Sequence, residues 1–176
     1  WQYLVPFLLC VVSYAASDFL QAFEKTDFAY WSGGLLAQPY RAVTTHFIHV
    51  DAKHLLANSS GIVVARFCLK GLLLRKNYFF LLLVALLIPL QTFIFWFVDI
   101  FLFRNPISLA VGFSGILFGV NAFLLLASIY GKPRFIGWNI DLKKDQQIRQ
   151  VMVVLTGISG LWSVLPGASL LGHFSG

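Results

Sequence analysis

Long apolar runs separated by short polar joints dominate this chain. Crossing a bilayer takes about 20 mostly apolar residues in a helix. Residues 3–23, 54–74, 78–103, 113–130 and 148–165 meet or approach that length, the last being short. The second run has a polar beginning, and the third contains Pro89, which predicts a kink. The chain begins at Trp1 rather than Met, and it stops in GHFSG (172–176), which reads as the first turn of a sixth helix. The pattern predicts an all-α membrane protein. The expectation is of one domain over residues 1–176 with its sixth helix truncated, as in a fragment of a longer protein.

Composition supports that class. The 176 residues are 59% hydrophobic and 11% charged, whereas soluble domains carry about 25% charged residues. Eighteen Phe and five Trp suit a lipid-facing surface with interfacial rings. The net charge of +6 is also found in nucleic-acid binders, but in so apolar a chain it points to the charge rule of membrane topology. The expected partner is therefore the lipid bilayer, with no nucleic acid. Arg66, Lys70, Arg75 and Lys76 flank one joint, and Lys132, Arg134, Lys143, Lys144 and Arg149 flank another, against the acids Asp141 and Asp145. Lys25, Arg41, Lys53 and Arg104 share the opposite side with the other five acids. The basic excess marks the cytosolic side. This predicts a multi-pass protein with a cytosolic amino end, in which runs two, four and six enter from the outer face. Cys10 and Cys68 sit in separate apolar runs and read as buried thiols.

Polar residues open those same three runs. His54 and Asn58 open the second, Ser114 the fourth and His173 the stub of the sixth. Polar groups at membrane depth are costly and face a bundle interior or a wet cavity. Ser114 and His173 suit a nucleophile and its general base. His54 and Asn58 are four apart on one helix face and can donate hydrogen bonds to a developing oxyanion, as can the Ser114 N–H at its helix start. Gly112 permits a sharp turn and close backbone approach. Gly115 with Gly119, and His173 with Gly176, are small-residue spacings that predict close packing of the fourth helix on the sixth.

These residues resemble the rhomboid family of intramembrane serine proteases. GFSGILFG has the family's GxSGxxxG pattern, HLLAN its HxxxN pattern and GHFSG its HxxG pattern. PYRAVTTHFIHVDAKHLLAN resembles the family's first loop running into its second helix, with Arg41 and His49 in the places of the loop arginine and upstream histidine. Tyr40 stands where the family usually has Trp. The resemblance implies a rhomboid-like six-helix transmembrane bundle that cleaves the transmembrane segments of other proteins through a Ser114–His173 dyad, with no cofactor and no metal. It implies an oxyanion hole of His54, Asn58 and the Ser114 N–H, beside Gly112, on the outer side of the membrane. Phe118 takes the place of an aromatic ring packed on the catalytic histidine.

Other readings compete. An inactive relative would bind membrane proteins without cutting them, although such relatives usually lose the serine or the histidine. A sorting-type rhomboid would trim a C-terminal tail. His46, His49, Asp51 and His54 fall within nine residues and could offer zinc ligands, but no HExxH is present. Ionisable residues at membrane depth also mark the ion paths of transporters. A soluble hydrolase is excluded by hydropathy, and GxSxG fails because Ile116 follows Gly115.

Overall fold

A computed structural model describes residues 1–70, 78–131, 142–143 and 146–163. In chain order it comprises α1 (Leu4–Asp18), α2 (Lys25–Phe28), β1 (Tyr30–Trp31), α3 (Arg41–Thr44), α4 (Ala52–Lys70), α5 (Phe79–Phe97), β2 (Leu109–Ala110), α6 (Ser114–Tyr130) and α7 (Gln146–Ser163). A 3-10 turn, Thr45–Phe47, continues α3, and a π-helical turn, Val98–Leu102, continues α5. The five long helices fall on the five apolar runs. The predicted sixth, at 172–176, lies outside the described residues.

The helices differ in how well each could span a membrane. Among the described residues, Phe79–Leu102 is the one helix long and apolar enough to cross, with 24 residues, or about 36 Å at 1.5 Å per residue. Leu4–Asp18 and Ser114–Tyr130 are apolar but shorter. Lys53, Arg66 and Lys70 lower the hydropathy of α4. The first run ends as a helix at Asp18 rather than near residue 23. Pro89 lies inside α5, which continues as one helix past it. The irregularity of that run is instead the π turn after Phe97.

α6 is the centre of the bundle. Ile116, Val120 and Leu124, each 0% exposed, recur every four residues along one face. They join Cys10 of α1, Ile62 and Ala65 of α4, Phe80, Val84 and Ile88 of α5, and Met152 of α7 in one apolar cluster. Cys10 and Cys68 are both buried in it. Large apolar side chains also point outward, among them Leu86, Leu90, Phe93 and Phe97 of α5 and Val153, Val154 and Ile158 of α7. A lipid solvent accommodates such a surface, which water would penalise. Two glycines set close approaches. A Cβ at Gly61 of α4 would fall 2.4 Å from Leu117 Cδ1 of α6. A Cβ at Gly115 of α6 would fall 1.6 Å from Gln91 Nε2 of α5. Gly115 therefore packs on the third long helix, while the predicted contact of the Gly115 and Gly119 face with the sixth helix lies outside the described residues.

The chain between α1 and α4 forms a folded loop rather than a span. β1 pairs antiparallel with β2, in the register Tyr30 with Ala110 and Trp31 with Leu109. The pairing extends past the strands. The Ser32 N–H donates to Ser108 O at 3.1 Å, and the Gly33 N–H donates to Pro106 O at 2.8 Å. Tyr30, 1% exposed, stacks on Phe95 with ring centroids 4.6 Å apart and donates its hydroxyl to Asp99 at 3.1 Å. Burial, then the neighbouring Asp99 charge, raises the Tyr30 phenol well above its usual range. The loop is thus fastened to the segment that enters α6.

Candidate active site

The entry to α6 is shaped by Gly112. Its φ is +117°, where side-chain-bearing L residues are strained. Phe113 follows, 0% exposed, with its ring centroid 6.0 Å from that of Phe47. Ser114 is then the first residue of α6 and is half-buried. Its N–H belongs to the first turn of that helix. Thr45 anchors this approach from the loop. Its hydroxyl donates to Ala110 O at 2.6 Å, and its carbonyl accepts the Gly112 N–H at 2.9 Å. The Gly112 N–H is therefore committed to Thr45 rather than to an oxyanion.

What Gly112 supplies is space. A Cβ built there would lie 2.5 Å from His54 Cε1, 2.6 Å from His54 Nε2 and 3.4 Å from Asn58 Nδ2. The gap left by the missing methyl is bordered by both side-chain nitrogens, two residues ahead of Ser114. Residues 54 and 58 of the second run and 112, just ahead of the fourth, come together. Asp51 sets the start of α4 by accepting the His54 N–H at 2.8 Å, an N-terminal cap. That bond, with smaller help from nearby Lys53 and His54, holds the Asp51 carboxyl below its usual range.

Behind these residues lies a second layer of histidines. His49 is 0% exposed. Its Nδ1 is 3.1 Å from Phe47 O and its Nε2 is 2.8 Å from Asn58 Nδ2. Its ring meets that of His54 edge to face at 5.1 Å. His46, 3% exposed, pairs through Nε2 with the Thr92 hydroxyl at 3.1 Å, and that hydroxyl donates to Ala42 O. Burial pulls both imidazoles down to about 4, helped at His49 by the adjacent His54. The four residues that spacing offered as zinc ligands thus have other work. His46 meets Thr92, both nitrogens of His49 are engaged, Asp51 caps α4 and His54 lies on Gly112.

Arg41 holds the outer loop. It is 7% exposed, and its guanidinium donates to Thr26 O at 2.6 Å, to Ala29 O at 2.7 Å and to the Gln38 side chain. Tyr40 donates its hydroxyl to Asp27 O at 3.2 Å. Phe118 is half-buried one turn after Ser114, and Gly119 is buried. His173 and Gly176 lie outside the described residues. Thr45, Thr92 and Gln91 were not among the expected site residues. Nothing in their local sequence distinguishes them, because each acts through a partner far along the chain.

A family model of the rhomboid domain matches residues 36–176, well over half of the chain. The chain belongs to the rhomboid family. No curated protein and no solved structure matches it. Rhomboids are integral membrane proteins, typically serine proteases acting on membrane-protein substrates. The matched range begins in the folded loop. It takes in Arg41, both buried histidines, the α4 pair and the Ser114 turn of this rhomboid, and it leaves α1 outside.

Proposed function

We propose that this rhomboid is an active intramembrane serine endopeptidase, with Ser114 as nucleophile and His173 as general base. The supporting observation is the gap at Gly112. Two side chains able to donate hydrogen bonds, His54 and Asn58, border it just ahead of a serine on the first turn of a helix. Oxyanion stabilisation needs donors fixed in advance where charge will develop.

In the proposed reaction, Ser114 Oγ attacks the scissile carbonyl of a transmembrane segment while His173 takes the hydroxyl proton. The carbonyl oxygen becomes an oxyanion received by His54, Asn58 and the Ser114 N–H. The intermediate collapses, the C–N bond breaks, and His173 returns the proton to the leaving amine. Water, deprotonated by His173, then attacks the acyl-serine, the bond from the carbonyl carbon to Ser114 Oγ breaks, and His173 returns the proton to Ser114 as the new carboxyl terminus leaves. The single domain lies in the bilayer as a six-helix bundle, its amino end cytosolic and this site towards the outer face, as the basic residues around the joints suggest.

The test uses the full-length protein in detergent with a serine-reactive fluorophosphonate and a model transmembrane substrate. Label is expected on Ser114, and Ser114→Ala and His173→Ala should each abolish cleavage. Cleavage by Ser114→Ala at the wild-type rate would overturn the proposal. A chain that takes no label and cuts no substrate would instead be an inactive binding relative.

A further inference from the structure

We infer that His49 is a positioning residue that fixes which end of the Asn58 amide faces the gap at Gly112. The argument rests on the protease reading above for its consequence, and on the geometry alone for the contact. Phe47 O only accepts hydrogen bonds. His49 Nδ1, 3.1 Å away, must therefore carry the ring proton. In the neutral ring this leaves a lone pair on Nε2. The Asn58 atom 2.8 Å from that lone pair must be a donor, hence Nδ2 rather than Oδ1. The ring is fully buried, which keeps it neutral.

The same Nδ2 lies 3.4 Å from the position of the missing Gly112 Cβ. One of its hydrogens goes to His49, and the other remains for the gap. Turning the amide over would put Oδ1 in that place. It would then oppose the His49 lone pair on one side and a developing oxyanion on the other. A backbone carbonyl at residue 47 thus chooses, through one imidazole, whether Asn58 offers the reaction a donor or an acceptor. His54 is the other ring in contact with His49, so the experiment must separate the two routes.

Cleavage kinetics of the full-length protein are measured for His49→Phe, which keeps a ring and removes both polar atoms. The same is done for Asn58→Ala and for the two changes together. His49→Phe should lower kcat about 10- to 100-fold with KM within about twofold, less than the full loss of an oxyanion donor at about 10²–10³. The double variant should be no slower than Asn58→Ala alone, because His49 acts through Asn58. His49→Gln, whose carbonyl oxygen can accept from Asn58, should recover much of kcat. If the losses multiply, or if His49→Phe leaves kcat unchanged, the inference is overturned. An effect that vanishes only in a His54→Ala background would overturn it in favour of the His54 contact.

A readout independent of activity is the 15N NMR spectrum of histidine-labelled protein. His49 should show a protonated Nδ1 and a bare Nε2 whose signal moves on Asn58→Ala. A protonated Nε2 overturns the inference even in an active enzyme. The expected spectrum in a protein whose Ser114→Ala variant still cleaves would leave the contact standing and remove the protease reading. Should His49→Phe fail to fold, His49→Gln and the spectrum decide.

Discussion

Replacing Gly112 with alanine tests the site at its tightest point. The new Cβ would sit 2.5 Å from His54 Cε1 and 2.6 Å from its Nε2. Ordinary carbon contacts begin near 3.5 Å, so the imidazole must retreat by about 1 Å. Two costs fall on stability. Holding an L residue at φ +117° costs on the order of 1–3 kcal/mol, and overpacking costs about 1–3 kcal/mol more. The cost to catalysis has a different origin. A catalytic group misplaced by about 1 Å loses on the order of 10²-fold in rate, similar to the loss of one oxyanion donor. Gly112→Ala should therefore lower kcat about 100-fold with little change in KM, and should lower the thermal midpoint as well. Steady-state cleavage of a transmembrane substrate in proteoliposomes gives the first quantity, and thermal unfolding in detergent gives the second. Gly157→Ala is the control. Among the described residues nothing lies within 4 Å of a Cβ there, so activity should hold and the midpoint should not fall. Wild-type kcat in Gly112→Ala would refute the reasoning, since His54 would then not depend on that space. A lower midpoint with intact kcat would separate the glycine from the chemistry.

Arg41→Lys should lower the thermal midpoint, because one ammonium cannot serve the three loop acceptors that Arg41 reaches. Each buried carbonyl left unmet costs about 1–3 kcal/mol, and an unchanged midpoint would show the loop is held otherwise. His46 and His49 are held near 4 in the folded protein, below the unfolded value of about 6.5. The unfolded chain binds protons first as pH falls, so the stability they lend is complete above about pH 6.5. It is lost between there and about pH 4, by on the order of 3 kcal/mol per ring. A midpoint that stays flat from pH 7 to 4.5 would contradict this. For orientation, a cysteine replacing exposed Lys143 should react with impermeant thiol reagents from the cytosolic side alone, and one replacing exposed Asp27 from the outer side alone. The swapped pattern would reverse the proposed topology.

Much of the helical framework was legible in the sequence, because apolar runs of membrane length have few alternatives. Ser114 was readable as the start of a helix, since Gly112 just before it permits a sharp turn ahead of the apolar run. Which face each helix turns inward was not readable. Hydropathy cannot separate Ile116, Val120 and Leu124, which are fully buried, from Leu126 and Ile129, which face outward, because core and lipid accept the same residues. The partner of Gly115 was unreadable for a related reason. Spacing shows that two small residues share a face, whereas the rotation of the helix decides that the face meets Gln91. The loop before α4 was least legible. Its small elements are held by partners far along the chain, and Asp51 carries the same letter whether it caps a helix or binds a metal.

The stitching between that loop and the approach to α6 also bears on the timing of synthesis. Trp31 Nε1 donates to Pro106 O across 75 residues of chain, and Ser32 Oγ to Asn105 O across 73. At a translation rate of about 5–20 residues per second, the loop waits roughly 4–15 s for its partners to be made. During that interval Arg41 and the two buried histidines are already synthesised, but Thr45 has no Gly112 to hold and His54 no glycine to lie against. A ribosome-bound chain halted before residue 105 therefore has the partners of the His49–Asn58 contact but not the Gly112 gap that His54 and Asn58 border. The meeting of Gly112 with His54 and Asn58 is therefore a late event, possible only after the whole of α5 has been made.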